Sequence, residues 1–436
     1  MWMKTFSAAA LVMAAAAKTD DYSRFGALMD KYGFDWEPVK VGTDDGFILT
    51  TFHITGNKDG KFTPTMPPVL IMHGAAGDGA TWIDDYKTGL PMHLQLAEAG
   101  YDVWIANNRG TEWSQEHITY SVDDPEFWEW SWAEMGLYDG VANIKAIKES
   151  TWAEKVFYIG WSQGNVQVFY ALSHIEESFF ADNVHKVIAM APCTVNPPWT
   201  DESYYEKGLY QLQGAGIYDE YGPNWKAEYP EVCLVSEEAC EQLNCANCQP
   251  MSIQSSLHWQ QNTYTGRFQE FAPNYLDGER ETDLIDIGSI DKVPIAMLVG
   301  KDDVTCPYSQ AVITANIIGD MVTHFESIEG ADHMYFSRAN DKYFMDLVKG
   351  QLQVPSQEPE FTFLEGGAST EKRQLAGSDC GGGAASGTTA ATQQSGADPN
   401  QPLILLNKET QLYESDGVAS MTAAFSAVTL AAAVLF

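Results

Sequence analysis

Five short apolar runs, each four to six residues long, constrain the fold of this 436-residue chain more than any other feature. They lie at residues 68–73, 101–106, 156–159, 187–190 and 295–299. Such runs suit the strands of a parallel sheet that is buried on both faces. Between them, residues 91–97 and 133–148 have the apolar spacing of helices. The alternation predicts an α/β fold, with a mostly parallel central sheet and helices on both faces.

The alternation stops between residues 196 and 284, a stretch rich in tyrosine, tryptophan, glutamine and cysteine. We interpret residues 196–284 as a cap or lid inserted between two parts of one core, residues 18–195 and 285–355. Near the start of the core, residues 39–54 have the pattern of two strands around a turn at residues 44–46. Aromatic residues of the predicted cap are candidates for lining an apolar groove: Trp199, Tyr204, Tyr205, Tyr210 and Trp225.

The two ends of the chain have the composition of targeting segments. Residues 1–17 carry one lysine, an uncharged apolar stretch and small residues, which is the pattern of a secretory signal peptide. Residues 356–417 include a long tract rich in glycine, serine and threonine, and we predict a flexible stalk there. Residues 418–436 are uncharged and predict either a glycolipid-anchor signal or a membrane anchor. We expect a secreted or cell-surface protein, with C-terminal membrane attachment and a lysosome-like compartment as alternatives.

Charge and cysteine content limit the partners further. The formal net charge of -35 repels phosphate backbones, which argues against a nucleic-acid partner. Four of the seven cysteines lie within residues 233–248. In an oxidising compartment such a cluster favours disulfides, with three pairings open among the four cysteines. A zinc site built on Cys245 and Cys248 with Cys240 and Cys233 is the alternative.

The motif GWSQG at residues 160–164 places Ser162 between the apolar run at residues 156–159 and a helix-like stretch. A nucleophile on a sharp strand-to-helix turn needs small flanking residues, because the backbone there is strained and closely packed. The N-terminus of the following helix offers unpaired N–H groups to a developing oxyanion. The motif therefore predicts Ser162 as a catalytic nucleophile.

A serine hydroxyl becomes reactive when a base takes its proton, and in this arrangement the acid and then the histidine follow the serine along the chain. Asp303 lies in the loop after the run at residues 295–299, and its neighbour Asp302 is the alternative. Of the two histidines that follow, His324 opens a predicted strand, whereas His333 comes after it. The sequence predicts a triad of Ser162, Asp303 and His333, with Asp302 left open as the acid.

The loop after residues 68–73 predicts the oxyanion hole. Gly74 would let the backbone approach the nucleophile, and the N–H of Ala75 would point inward beside the N–H of Gln163. Losing one such donor typically costs on the order of 100- to 1,000-fold in turnover. We interpret His73 as structural.

Several stretches together resemble the acid lipase family, the group that contains gastric and lysosomal acid lipases. They are collinear over roughly residues 22–350: HGAAGDGATW (73–82), AGYDVWIANNRGTEWSQEH (99–117), FWEWSWAEMGLYD (127–139), YIGWSQGN (158–165), HWQQ with GRFQ (within 258–269), VPIAMLVGKDD (293–303) and DHMYF (332–336). The resemblance implies an α/β-hydrolase fold with a helical cap and a mobile lid, and a neutral-lipid or sterol-ester substrate. By this resemblance, Ser162 has the role of the nucleophile, Asp303 that of the acid and His333 that of the base. The oxyanion donors would be Ala75 and Gln163.

The sequence therefore leads us to expect a serine ester hydrolase that acts on a lipid ester. A lipid–water interface is one place where it could meet this substrate. We expect it to need neither metal nor cofactor. An acyltransferase using the same triad and a non-catalytic surface binding module are the alternatives. The chain departs from the family at Trp161, where the family often has histidine, and in its stalk and apolar tail.

Overall fold

The computed structural model describes most of the predicted core, namely residues 21–82, 89–192, 194, 224, 226–227, 249–353 and 362–364. The predicted signal peptide, the apolar tail, most of the stalk and much of the predicted cap, with its five candidate groove aromatics, lie outside the described residues. Within the described ranges, no helix has the length and apolar character needed to cross a bilayer. The domain boundaries stay predictions.

Among the described residues, eleven strands form one central sheet, and two more form a separate ribbon. In chain order the strands are β1 (Phe34–Gly42), β2 (Phe47–Asn57), β3 (Gly60–Lys61), β4 (Pro68–Met72), β5 (Asp102–Ile105), β6 (Glu116–His117), β7 (Val156–Trp161), β8 (Val184–Met190), β9 (Lys226–Ala227), β10 (Met251–Ser252), β11 (Ile295–Gly300), β12 (Val322–Ile328) and β13 (Thr362–Leu364). The central order is β1-β2-β5-β4-β7-β8-β11-β12-β13, with β3 and β6 beside β2. The strands from β5 to β13 in this order are parallel, whereas β1, β2 and β5 pair antiparallel. The mostly parallel sheet and the turn between β1 and β2 are confirmed.

The central strands are buried on both faces, as their continuous apolar runs predict. In β4, Val69 and Ile71 belong to one hydrophobic cluster, whereas the alternating residues Leu70 and Met72 belong to the other. Successive side chains of a strand point to opposite faces, so the sheet separates two cores. Both cores exclude water from the centre of the molecule.

Helices cover both faces of the sheet, as predicted. They are α1 (Ser23–Tyr32), α2 (Met92–Glu98), α3 (Trp132–Glu134), α4 (Val141–Thr151), α5 (Gln163–His174), α6 (Glu177–Asn183), α7 (Ile253–Thr265), α8 (Tyr308–Ile318), α9 (Tyr335–Arg338) and α10 (Lys342–Gln351), with a π-helical turn at Met135–Gly140 and short 3₁₀ turns at Gly79–Trp82, Pro125–Trp128, Tyr275–Asp277, Ile287–Ser289 and Gly319–Met321. Residues of α4, α5 and α8 pack into one core, and residues of α1, α2 and α10 into the other.

The helical stretch predicted at residues 133–148 is present, but its middle is a π-helical turn rather than a regular α-helix. A Cβ on Gly136 would lie 2.3 Å from the carbonyl oxygen of Gln167, so this turn touches the backbone of α5. On the same turn, the buried carboxylate of Asp139 accepts hydrogen bonds from the backbone N–H and the Nε–H of Arg109. Periodicity alone gave no sign of the wider turn, which depends on these tertiary contacts.

Four loops meet at one edge of the sheet, because the strands before them run parallel. They follow β4, β7, β11 and β12 and carry, in that order, Ala75, Ser162, Asp303 and His333. The chain runs from β4 to β5 on one side and later places β7 on the other side of β4. Such a switch in strand order opens a crevice at the carboxyl edge, where α/β sheets place their ligands.

Candidate active site

Ser162 occupies the turn between β7 and α5 in a conformation that few residues other than glycine adopt. Its φ is 53° and its ψ is -120°. The serine is 1% exposed, its N–H donates to the carbonyl of Met190 at 3.1 Å, and its carbonyl accepts from the N–H of Asn165 at 2.9 Å. A left-handed backbone at a non-glycine residue is strained, and such strain concentrates at functional turns.

Close packing explains both glycines of the motif. A Cβ on Gly160 would lie 2.6 Å from Oδ1 of Asn165, and one on Gly164 would lie 2.8 Å from the carbonyl oxygen of Met72. A larger residue at Gly164 would push the turn away from β4, and one at Gly160 would collide with the first turn of α5. The requirement for small flanking residues therefore follows from the contacts on each side of Ser162.

His333 lies between the serine and an aspartate. Its Nδ1 is 2.9 Å from Oδ2 of Asp303, and its Nε2 is 3.0 Å from Oγ of Ser162. The carboxylate can only accept, so the ring carries its proton on Nδ1 and leaves Nε2 free to accept from the serine hydroxyl. All three side chains are buried. This is the geometry that a serine needs to lose its proton to a neutral imidazole.

The two adjacent aspartates, Asp302 and Asp303, have different environments in the structure. Oδ1 of Asp303 accepts from the backbone N–H groups of Thr305 at 2.9 Å and Cys306 at 2.7 Å, so Oδ2 remains for His333. Asp302 is exposed, and its N–H donates to the carbonyl of Ala331. Of the two candidates, Asp303 is the one in contact with the histidine.

Cys306 brings a sulfur near this pair, since one ligand atom each of Asp303, Cys306 and His333 lie within 4.8 Å of one another. Cys306 is disulfide-bonded, however, and its sulfur is no longer a thiolate donor. Nδ1 of His333 is also engaged by the carboxylate. This cluster does not have the free donors of a metal site. The other six cysteines, including those of the predicted cap cluster, lie outside the described residues.

The loop after β4 lies directly against the serine. A Cβ on Gly74 would be 3.0 Å from Cβ of Ser162, which places the backbone next to Ala75 at the nucleophile. Ala76 has a φ of 51°, and its carbonyl accepts from the N–H of Gln249 at 2.8 Å. Of the two residues predicted to form the oxyanion hole, Gln163 follows Ser162 at the first position of α5, and Ala75 follows Gly74 in this loop.

His73 has a structural environment. Its Nε2 accepts from the N–H of Asn108 at 3.0 Å, so its Nδ1 carries the proton and donates to the carbonyl of Gly74 at 2.7 Å. Burial lowers the pKa of His73 to about 4, which keeps the ring neutral. The ring ties the loop after β4 to the loop after β5.

Three contacts of the site are absent from the sequence-based prediction. The Nε1–H of Trp161 donates to the carbonyl of His333 at 3.1 Å. The side-chain oxygen of Gln163 accepts from Nε1–H of Trp259 at 2.7 Å, and its amide group donates to Sδ of Met135 at 3.6 Å. The HWQQ stretch contains Trp259, but its pattern gave no indication of a partner 96 residues away.

Comparison with known proteins agrees with this fold. A family model described as the alpha/beta hydrolase fold matches residues 67–338, and one described as a partial alpha/beta-hydrolase lipase region matches residues 25–86. Human lipase member M is 35% identical over 178 residues, which are 41% of each chain. Bovine gastric triacylglycerol lipase is 28% identical over 72% of this chain and 86% of its own. The lysosomal acid lipase/cholesteryl ester hydrolase of Macaca fascicularis is 29% identical over 71% and 85%.

The first family model covers more than half of the chain, and its range includes the four loops at the carboxyl edge. The lipase model extends the match toward the N-terminus, across β1, β2 and β4. The long alignments with gastric and lysosomal lipases run through the same core. The chain belongs to the α/β-hydrolase fold family.

Proposed function

We propose that this chain is a serine ester hydrolase that cleaves neutral lipid esters, triacylglycerols or sterol esters, through an acyl-enzyme on Ser162. One observation carries the proposal: the buried series of hydrogen bonds from Oγ of Ser162 through His333 to Asp303. The substrate class is supported by the relatives, which are named as triacylglycerol lipase and cholesteryl ester hydrolase. A secretory or lysosomal location accords with the same relatives.

The first half of the reaction acylates the serine. Nε2 of His333 takes the hydroxyl proton of Ser162 while Oγ bonds to the ester carbonyl carbon and the carbonyl electrons move onto oxygen. The oxyanion is stabilised by the N–H groups of Ala75 and Gln163. When the carbon–oxygen bond to the alcohol breaks, the alcohol leaves with the proton from Nε2. Asp303 keeps Nδ1 protonated and stabilises the imidazolium that forms in between.

The second half releases the fatty acid. Nε2 of His333 takes a proton from water, whose oxygen bonds to the acyl carbon, and a second oxyanion forms at the same two N–H groups. The acyl–Oγ bond then breaks, and Ser162 recovers its proton from Nε2. The 3.0 Å contact between Nε2 and Oγ serves both halves, because the serine proton leaves over it in the first and returns over it in the second.

The proposal is tested by hydrolysis of an ester series from short to long acyl chains, measured on the wild type, on Ser162→Ala and on Ser150→Ala. Ser150 is an exposed serine on α4 and serves as the matched control. We expect Ser162→Ala to lose ester hydrolysis and labelling by a fluorophosphonate probe, and Ser150→Ala to keep both. Peak activity on long, water-insoluble esters is expected for a lipase.

Retention of hydrolysis by Ser162→Ala would refute the acyl-enzyme. A preference for short, soluble esters would refute the lipid substrate class and leave a carboxylesterase. Transfer of the acyl group to an added alcohol in excess over water would replace the hydrolase with an acyltransferase.

A further inference from the structure

The peptide group between Ser162 and Gln163 carries the N–H that the proposed reaction uses for the oxyanion. The carbonyl end of this group is fixed, because it accepts from the N–H of Asn165 at 2.9 Å. The strained φ of 53° at Ser162 favours rotation of the neighbouring peptide toward ordinary backbone angles. A second restraint, on the nitrogen side, would hold the N–H in place.

Both polar atoms of the side-chain amide of Gln163 have hydrogen-bond partners. Its oxygen accepts from the indole N–H of Trp259 at 2.7 Å, and its amide nitrogen donates to Sδ of Met135 at 3.6 Å. Gln163 and Trp259 are 1% and 0% exposed. In this dry surrounding the oxygen has no water to replace the indole if that bond is lost.

Trp259 is itself fixed by the position of α7. The neighbouring His258 stacks on Trp132 with 3.9 Å between ring centroids, and its Nε2 is 2.8 Å from the carbonyl of Gln269. The first turn of α7 is capped by Ser252, whose hydroxyl also donates to the carbonyl of Trp130. The indole is thus presented to Gln163 by a helix that is anchored at its first turn and at the residue before Trp259.

We propose that Trp259 is a positioning residue for the oxyanion hole, which it orients through the side chain of Gln163. The inference rests on the proposed ester hydrolysis and adds to it the element that holds one of the two donors. Trp259 does not touch the reacting atoms in this assignment. Its indole N–H keeps Gln163, and with it the backbone N–H, in the orientation that a tetrahedral intermediate requires.

The test replaces Trp259 by phenylalanine, which keeps an aromatic ring but removes the donor. With a soluble p-nitrophenyl ester we expect kcat to fall about tenfold while KM stays within about twofold, since the lost interaction acts on the transition state. Trp128→Phe is the matched control, because its buried indole donates to the carbonyl of Val122 at 2.9 Å instead. The control is expected to keep the wild-type kcat.

A second readout measures the oxyanion directly. An alkyl trifluoromethyl ketone reacts reversibly with the serine: Oγ bonds to the ketone carbon, the hydroxyl proton passes to His333, and the ketone oxygen becomes an oxyanion. We expect Trp259→Phe to raise the inhibition constant of this ketone by the same factor by which kcat/KM falls. A substitution that only loosened packing would not change the inhibition constant and kcat/KM by the same factor.

A double-mutant cycle with Gln163→Met tests the route of the effect. We expect Gln163→Met alone to lower kcat about as much as Trp259→Phe, and the second substitution to add nothing in that background. Additive losses would overturn the proposal, as would unchanged kcat in Trp259→Phe or an equal loss in Trp128→Phe. If Trp259→Phe does not fold, Gln163→Met decides alone, and full activity in it refutes the proposal. A wild type without turnover dependent on Ser162 would instead refute the ester hydrolase itself.

Discussion

Replacing Asp303 by asparagine tests the acid of the proposed triad, and the structure predicts how the new amide must lie. Oδ1 of Asp303 accepts two backbone N–H groups, from Thr305 and Cys306. The asparagine oxygen must stay there, because an NH₂ group would face two donors. The NH₂ then takes the place of Oδ2, 2.9 Å from Nδ1 of His333 in the native contact.

Facing a donor, the imidazole must present an unprotonated Nδ1, and its proton moves to Nε2. Nε2 then donates toward Oγ of Ser162 and can no longer take the serine proton. Enforcing the wrong tautomer in this way is expected to lower kcat by about 10,000-fold, or about 5 kcal/mol of activation free energy. Binding of substrate does not involve Asp303, so KM should change little.

The assay is initial-rate hydrolysis of a soluble p-nitrophenyl ester, with a thermal melt to check that each variant folds. Asp302→Asn is the control, because its side chain is exposed and the carboxylate in contact with His333 belongs to Asp303. We expect this control to stay within about twofold of the wild type, as for a surface substitution away from the site. A folded Asp303→Asn that keeps more than a tenth of the wild-type kcat, or an Asp302→Asn with an equal loss, would refute the assignment.

Three further predictions concern stability and are read from thermal melts. Gly164→Ala should lower the melting temperature by several degrees, because the new Cβ would meet the carbonyl of Met72. Each kcal/mol of lost stability corresponds to about 2–4 °C. An unchanged melting temperature would contradict the close packing. Trp152→Gly should raise it by about 2 °C, since Trp152 ends α4 with a φ of 58° and is 92% exposed; a lower melting temperature would show that this indole stabilises the fold. The hydrogen bond that His174 donates to Glu270 raises the pKa of His174 above its ordinary 6.5. Its contribution is therefore complete below pH 6.5 and lost as the pH rises through the raised value. Glu270→Gln should accordingly cost more at pH 5.5 than at pH 9, by about 2 °C, and equal losses would contradict the pairing.

The sheet and the nucleophile turn could be predicted because their signals are local. The run at residues 156–159 and the glycines beside Ser162 lie within one strand and one turn, where steric and burial requirements act on neighbouring residues. Chain order left His324 and His333 as candidates for the base, and the strand predicted to begin at His324 narrowed the choice to His333. Burial and backbone geometry thus determine these parts from short stretches of sequence.

The choice between two adjacent aspartates could not be made in that way. Asp302 and Asp303 follow the same strand, and the backbone N–H groups of Thr305 and Cys306 decide which carboxylate turns inward. The contact between Gln163 and Trp259 was equally hidden, since it joins two helices distant in the sequence. These features depend on how helices, strands and loops pack against each other, and the spacing of apolar residues along the chain does not predict that packing.

The direct pairing of β8 with β11 has a consequence for how such enzymes diversify. Val187 and Ile295 are partners in this ladder, so the sheet needs no strand from the roughly hundred residues between them. Ser162 precedes that interval, and Asp303 and His333 follow it. Trp259 lies inside the interval and contacts Gln163, so the helix that carries it must keep its place. Because each doubling of a connection costs only about 0.6 kcal/mol of closure entropy, the rest of the interval can be lengthened or trimmed while Ser162, Asp303 and His333 stay in position.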